Sequence, residues 1–337
     1  MLFSAYSGNS FLHTMKKLLS AVCAFTLLVA CSGGGNPQVQ TGTTADTLAV
    51  DTAALRLGLM PTLDCLPFYY AQRAGIFDSL QLDVELLTYM AQMDLDTALA
   101  RGWADGIYSD LVRASLMSYR AKKLPVVVMG TDGVWNVIVA QSLRLRTASQ
   151  LDERMIAVAR HSASDLVSDH VAKAGGIRPD RIYRPQINDV NLRSSMLTNA
   201  QVDAAVLPEP QATQARTRGH KQIYSTADEK LNLGCFTFNR QRLNSPRKVA
   251  QMYSLIKAYN LAVVRINRGG KSVCDSVLLR DFGLNIYEAD TLRLPLFAPA
   301  HAPAASDLET AIRFLVSRRL VPKGFAADSL VTTAYLK

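Results

Sequence analysis

From Leu55 onward the chain alternates short apolar runs with longer stretches of helical pattern, and this alternation restricts the fold more than any other feature. Strands are predicted at Arg56–Met60, Asp83–Thr88, Gly106–Tyr108, Pro125–Gly130, Val137–Ala140, Met155–Ala159, Arg181–Tyr183, Ala204–Leu207, Gln222–Tyr224 and Cys235–Phe238. Strands separated by helices argue for α/β architecture with parallel sheets. The last third turns helical in pattern, with Val249–Ile266, Ser272–Leu279 and Asp307–Arg318 as the clearest segments.

Helix punctuation supports this reading. Pro67 suits the first position of a helix that runs to about Ala74, with Gly75 behind it. Asp94 is placed to cap a helix that ends near Arg101 before Gly102. Ser162 with Asp165 three residues on resembles a capping box, and Gly175-Gly176 close that helix. The stretch from Leu99 to Gly106 is echoed by the one from Leu197 to Ala204, each passing from a helix end through a tight turn to an Asp at a strand entrance. One such unit per lobe suits a body made of two similar halves.

At about 150 residues per domain, 337 residues give about two domains beyond a targeting segment. Hydrophobic residues at 49% and charged residues at 19% suit an ordered body with a sizeable core. Two of the 37 basic residues, Lys16 and Lys17, lie in the first thirty positions, which hold no acid, so the rest carries +7. These charges are scattered along the sequence rather than run together, which argues against a nucleic-acid partner and for a mild bias toward anionic ligands. Of five cysteines, Cys65, Cys235 and Cys274 lie in the body at long, irregular spacing without a CxxC pair. They read as small buried side chains, with at most one disulfide among them and no metal site.

Residues 15–31 read MKKLLSAVCAFTLLVAC. Lys16 and Lys17 precede the apolar run Leu18–Ala30, thirteen residues, which suits a secretory signal and falls short of the ~20 that a membrane span needs. Leu28-Val29-Ala30-Cys31 resembles a bacterial lipobox, which implies a signal peptide over residues 1–30, with a better start at Met15, and lipid on Cys31. Two or more acyl chains there give stable anchoring without a spanning helix. Residues 31–54, poor in large apolar side chains, form a flexible tether.

Gly58-Leu59-Met60-Pro61, then Pro67 through Phe77, then Leu82-Asp83-Val84-Glu85 resemble the opening of the solute-binding proteins for nitrate, sulfonates, taurine and thiamine-pyrimidine precursors. Ala98 to Asp105 resembles that family's helix-to-strand step, and Asp203 to Pro210 its second-lobe strand ending in Glu-Pro. The order and spacing of these pieces carry the resemblance, which runs from Leu55 to the chain end and is strongest before Pro210. Two turns depart from the pattern: the stretch Asp78-Ser79-Leu80-Gln81-Leu82 lacks the Gly that usually precedes the Leu of the second strand, and Asn199-Ala200 stand where a Gly is common. The resemblance implies a two-lobed type II periplasmic-binding-protein fold, each lobe a mostly parallel sheet flanked by helices. Crossovers are expected near Val134–Ala140 and Gly234–Asn239. Lobe one is then residues 55–136 plus 237–337, and lobe two 137–236.

In open α/β sheets ligands lie beyond the carboxyl ends of strands. That rule selects Asp64 and Phe68 after the first strand, and Tyr108 and Ser109 after the third, with Asp110 read as a helix cap. At the first crossover it selects Trp135 to stack a ring and Asn136 to offer donor and acceptor. In the second lobe Ser162, Ala163 and Ser164 open a helix whose free N–H groups favour an electron-rich group, although Asp165 opposes a full anion. Glu209, held between two prolines, is placed to meet an amine or amidine-like N–H.

The resemblance implies a monomeric carrier that closes its lobes on a small-molecule ligand and hands it to an ABC permease and ATPase, with no cofactor. The aromatic pair and Glu209 lean toward a thiamine-type pyrimidine precursor, and the Ser162 helix start toward a sulfonate or taurine-like anion. Two alternatives stay open: an enzyme of pyrimidine or menaquinone precursor biosynthesis on the same fold, and a surface lipoprotein without a transport role. No GxSxG, HExxH or P-loop pattern supports the enzyme.

Overall fold

The computed structural model describes residues 54–121, 125–327 and 329–336. The expected signal peptide, Cys31 and all but the last residue of the tether lie outside the described residues. Among the described residues nine strands build two sheets. They are β1 Leu55–Leu59, β2 Val84–Thr88, β3 Gly106–Asp110, β4 Pro125–Gly130, β5 Trp135–Val139, β6 Ile156–Ala157, β7 Ala204–Pro208, β8 Lys221–Ser225 and β9 Gly234–Asn239. The first sheet has the order β2-β1-β3-β9-β4 and the second β6-β7-β5-β8. In each sheet one strand runs against its neighbours: β9 between β3 and β4, and β5 between β7 and β8. Those are the two strands that arrive from the other sheet without an α-helix in between.

The connections between sheets occupy residues 131–134 and 226–233. Each crossover therefore comes earlier than its sequence position suggested. The segment expected as the first crossover is largely β5, inside the second sheet, and β9 lies wholly in the first. The apolar runs mark only the centres of the strands, which extend to Trp135 and Gly234.

The helices named below are α1 Leu66–Arg73, α2 Ile76–Ser79, α3 Gln92–Ala100, α4 Leu111–Arg120, α5 Ala163–Ala174, α6 Val190–Thr198, α7 Gln211–Thr217, α8 Pro246–Gly269, α9 Ile286–Thr291 and α10 Ala305–Ser317. Phe68 of α1 anchors the first core, its ring 4.9 Å from Phe236 of β9 and 5.2 Å from Tyr259 of α8. A second cluster joins α4 and α10 to α5 and the inner residues of β5 and β7, so apolar packing is continuous between the lobes. Cys65, Cys235 and Cys274 are buried free thiols, and burial pushes all three up in pKa.

Three local expectations change. Residues 181–183 form no strand: a 3-10 turn covers Pro179–Arg181, and Tyr183 makes an isolated bridge to Met155. The segment follows the edge of β6 as far as a second bridge, Val158 to Gln186, but Pro185 has no N–H to continue a ladder. Asp94 does not cap α3, which starts at Gln92 behind Ala91; it sits in the first turn, where a carboxylate suits the helix dipole. The helix expected at Ser272–Leu279 is a 3-10 turn, Lys271–Cys274, followed by a π turn, Val277–Asp281.

The sequence echo has one physical job in both lobes. Asp105 at the entrance of β3 accepts the Arg56 N–H of β1 at 2.9 Å, and Asp203 at the entrance of β7 accepts the Met155 N–H next to β6 at 2.8 Å. Both turns pass through left-handed backbone, Gly102 at φ 68° and Ala200 at φ 54°. Asp105 is fully buried and also meets Arg242 Nη1 and Lys248 Nζ, each at 3.2 Å.

Candidate functional site

The ends of β1, β3 and β7 and the start of β5 converge where the lobes meet. They enclose a narrow cavity of about 10 Å³, the room of about one water molecule. The first lobe contributes Met60, Thr62, Gln92, Tyr108 and Asp110. The second contributes Trp135, Ser162, Ser164, Asn188, Val190, Arg193 and Pro208, with Ala159 beside them. The lobes touch directly around it: Leu63 N–H donates to Glu209 O at 2.9 Å, Gln211 Nε2 to Pro61 O at 3.0 Å and Val190 N–H to Met90 O at 3.1 Å.

Of the residues selected from sequence, Tyr108, Trp135, Ser162 and Ser164 are brought together at this cavity. Ser162 caps α5, its hydroxyl accepting from Ser164 N–H at 3.1 Å and donating to Ala159 O at 2.6 Å. Ser109 and Asn136 are each next to a lining residue on a strand, and side chains alternate, so both point to the opposite face. Ala163 is buried behind the cap. Phe68 belongs to the first core rather than the cavity, because α1 turns that face onto β9 and α8.

Asp64 lies beneath the crossovers. Its Oδ1 accepts from the Thr131 hydroxyl. A Cβ added at Gly133 would fall 2.0 Å from Asp64 Oδ1, and one at Gly234 would fall 2.8 Å from the same atom. Glycine at these two places lets the first crossover and the start of β9 pass close to the carboxyl. Burial pushes the Asp64 carboxyl up, opposed by the Thr131 and Tyr108 hydroxyls beside it. Glu209 is not free for a ligand amine: Oε2 accepts from Thr213 N–H at 3.0 Å and from the Thr213 hydroxyl at 2.7 Å, and Oε1 meets Arg216 at 2.6 Å. The Glu209–Pro210 peptide is cis.

Asp110 has two roles. Its Oδ1 caps α4 by accepting Arg113 N–H at 2.9 Å, and its carboxyl also faces the Ala163 N–H that opens α5 in the other lobe. Burial outweighs these contacts and pushes its pKa up to about 6.

Arg193 escaped the sequence reading. It is buried, and its Nη1 donates to Ser164 Oγ at 3.1 Å while Nε has no hydrogen-bond partner. It forms no ion pair among the described residues, and burial pulls its pKa down to about 10. The local cause of its placement is simple. Asp189 caps α6, accepting from Asn191 and Leu192 N–H at 2.8 Å each, and Val190 and Arg193, three residues apart, share the face toward the cavity. The signal available was this Asp cap before an apolar residue, with the arginine one turn in.

The fold has solved counterparts. The alkanesulfonate-binding protein SsuA from Xanthomonas axonopodis pv. citri, bound to MOPS, superposes with a TM-score of 0.71 at 18% identity, over 84% of this chain and 99% of that one. The periplasmic aliphatic sulphonate-binding protein SsuA from Escherichia coli gives 0.65 at 16% identity, over 83% and 92%. The periplasmic nitrate-binding protein NrtA from Synechocystis PCC 6803 gives 0.68 at 13% identity, over 83% and 84%. These likenesses establish the periplasmic-binding-protein fold. No curated protein matches the chain in sequence. The NMT1/THI5-like family model matches residues 62–263, which include every lining residue but Met60, and the chain belongs to that family.

Proposed function

We propose that the protein is the solute-binding component of an ABC importer and that its guest is a small anion held between the lobes. The observation that carries this is Arg193: a buried guanidinium on the cavity wall with an unpartnered Nε and no ion pair among the described residues. A buried arginine of this kind is costly unless an anion completes its fork. Ser162 and Ser164 at the start of α5 supply further polar groups on the same side. The binding of alkanesulfonate and nitrate by structural neighbours agrees with this chemistry. The cavity of about 10 Å³ is too small for such a guest, so the lobes part to admit it and then settle around it with contacts from both sides, and a permease reads that shape.

A thiamine-type pyrimidine is the second reading, favoured by Tyr108 and Trp135 on the cavity wall. Glu209, which would have paired with its amino group, is engaged by Arg216 and Thr213, so the anion is preferred. Binding without turnover, a periplasm-facing location and anchoring through Cys31 complete the proposal, on the strength of the fold and of the targeting pattern in residues 15–31.

The test is a thermal-shift and calorimetric comparison of ethanesulfonate, taurine, nitrate and a 4-aminopyrimidine, since a ligand of the folded state raises its stability. At least one anion is expected to stabilise the protein. Losing one partner of a buried charge pair costs about 2–5 kcal/mol, so Arg193→Met is expected to weaken that anion by about thirtyfold or more. Stabilisation by the aminopyrimidine alone, or anion affinity indifferent to Arg193→Met, refutes the anion reading.

A further inference from the structure

A second concavity of about 420 Å³ opens on the surface beside the cleft, and four arginines line it. Arg101 from the end of α3 and Arg113 and Arg120 from α4 belong to the first lobe. Arg160 and His161, just ahead of α5, belong to the second. Among the described residues the only carboxylate on its wall is Asp96, which Arg113 already holds at 2.5 Å. One carboxylate against four guanidinium groups leaves three positive charges uncompensated. Arg101, Arg120 and Arg160 form no ion pair among the described residues; Arg101 lies over the Trp103 ring at 5.7 Å.

The same arginines act on His161 at the rim. Burial lowers its pKa, and Arg120, Arg113 and Arg160 all push it further down against the single opposing charge of Asp165. Its backbone, at φ 57°, is left-handed, and its N–H is held by Asp165 Oδ2 at 2.9 Å, which fixes the residue at the rim. Arg113 Nη1 reaches across the lobes toward Arg160 O at 3.4 Å, so the groove has both its walls only when the lobes are together.

We propose that this groove is a second anion site, distinct from the cleft, which takes a small soluble polyanion of the phosphate or polycarboxylate type. Arginine forks match both groups in bidentate geometry. The volume falls within the range of small-molecule sites, about 300–1,000 Å³. Because the two lobes supply its walls, an anion here favours the closed form and so tightens binding in the cleft, and a cleft guest tightens the groove by the same factor. The coupling, though not the site itself, rests on the lobe-closure reading given above.

The probe is inorganic pyrophosphate, titrated into the intact protein at 0.15 M salt by calorimetry, with the His161 C2 proton followed by NMR and assigned through His161→Gln. One saturable site per chain is expected, with a rise in the His161 pKa as the field is neutralised. Arg120→Ala combined with Arg160→Ala, both exposed, should weaken binding at least tenfold and abolish the His161 response. Arg193→Met should leave both intact, which separates the groove from the cleft. No saturation, or binding indifferent to the double substitution, overturns the proposal. Loss of pyrophosphate binding in a folded Arg193→Met protein also overturns it, because the anion then occupies the cleft. If the groove binds as expected while no solute is found for the cleft, the importer reading fails and the groove stands.

Discussion

Asp110→Asn separates the electrostatics of the cleft from its hydrogen bonding. The wild-type carboxyl is buried against the α5 start, and its folded pKa of about 6 stands above the ordinary 3.8. A raised folded pKa means that the protonated form is favoured by folding. The stabilising contribution is therefore complete below about pH 3.8 and is lost as the pH rises through about 6. At about 1.36 kcal/mol per pH unit the loss approaches roughly 3 kcal/mol by pH 8. Asparagine caps a helix as well as aspartate does, so the bond to Arg113 N–H is kept while the charge is removed. The variant is expected to be about 1–3 kcal/mol more stable than wild type at pH 8 and level with it at pH 4, as measured by urea unfolding across that range. For an anionic guest its affinity should also rise at pH 8, whereas a guest that donates an amino group would lose a partner. A stability difference that stays constant between pH 4 and pH 8 refutes the electrostatic account of Asp110.

Other substitutions probe the frame around the site. Asp105→Ala removes the buried carboxylate that Lys248 and Arg242 both meet and leaves a void, and is expected to cost about 3–5 kcal/mol in urea unfolding. Ala200→Gly relieves left-handed backbone at φ 54° and should stabilise by up to about 1 kcal/mol, seen as a higher melting temperature. Phe68→Leu thins the first core and should cost about 1–2 kcal/mol while leaving the dissociation constant of a cleft ligand unchanged within about twofold in titration calorimetry.

The alternation of strands and helices was legible because buried strands need apolar runs and helices need caps, and nine of the ten expected strands correspond to elements in the sheets. The faces of those strands were not legible. Every residue of β3 and of β5 is buried, so neither strand shows the polar alternation that tells one face from the other. The strand-end rule accordingly took Tyr108 with Ser109 and Trp135 with Asn136, where the structure turns only one of each pair to the cavity. Glu209 was misplaced for another reason: its partner Arg216 lies seven residues on, across a helix whose start at Gln211 has no capping side chain to announce it. Arg193 was missed because the rule looks at strand ends, whereas α6 is delivered to the cleft by a segment that only bridges the edge of β6.

What a guest adds depends on what the lobes already do for each other. Leu63 with Glu209, Gln211 with Pro61 and Arg218 with Glu288 link them directly, each a bond of about 0.5–1.5 kcal/mol net. Closure is thus partly supported by the protein itself, and a guest shifts the equilibrium only through interactions it makes in the closed form alone. Two groups are poorly served there: Arg193 Nε has no hydrogen-bond partner, and burial pushes the Asp110 carboxyl up to about 6. Both are unfavourable terms of the closed cavity, and a guest's negative group answers the first while opposing the ionisation of the second. The same anion should therefore close the lobes more tightly below about pH 6 than above it, since protonated Asp110 no longer repels it. Affinity that rises with pH through that range would place the guest's positive end, rather than its negative end, in the cavity.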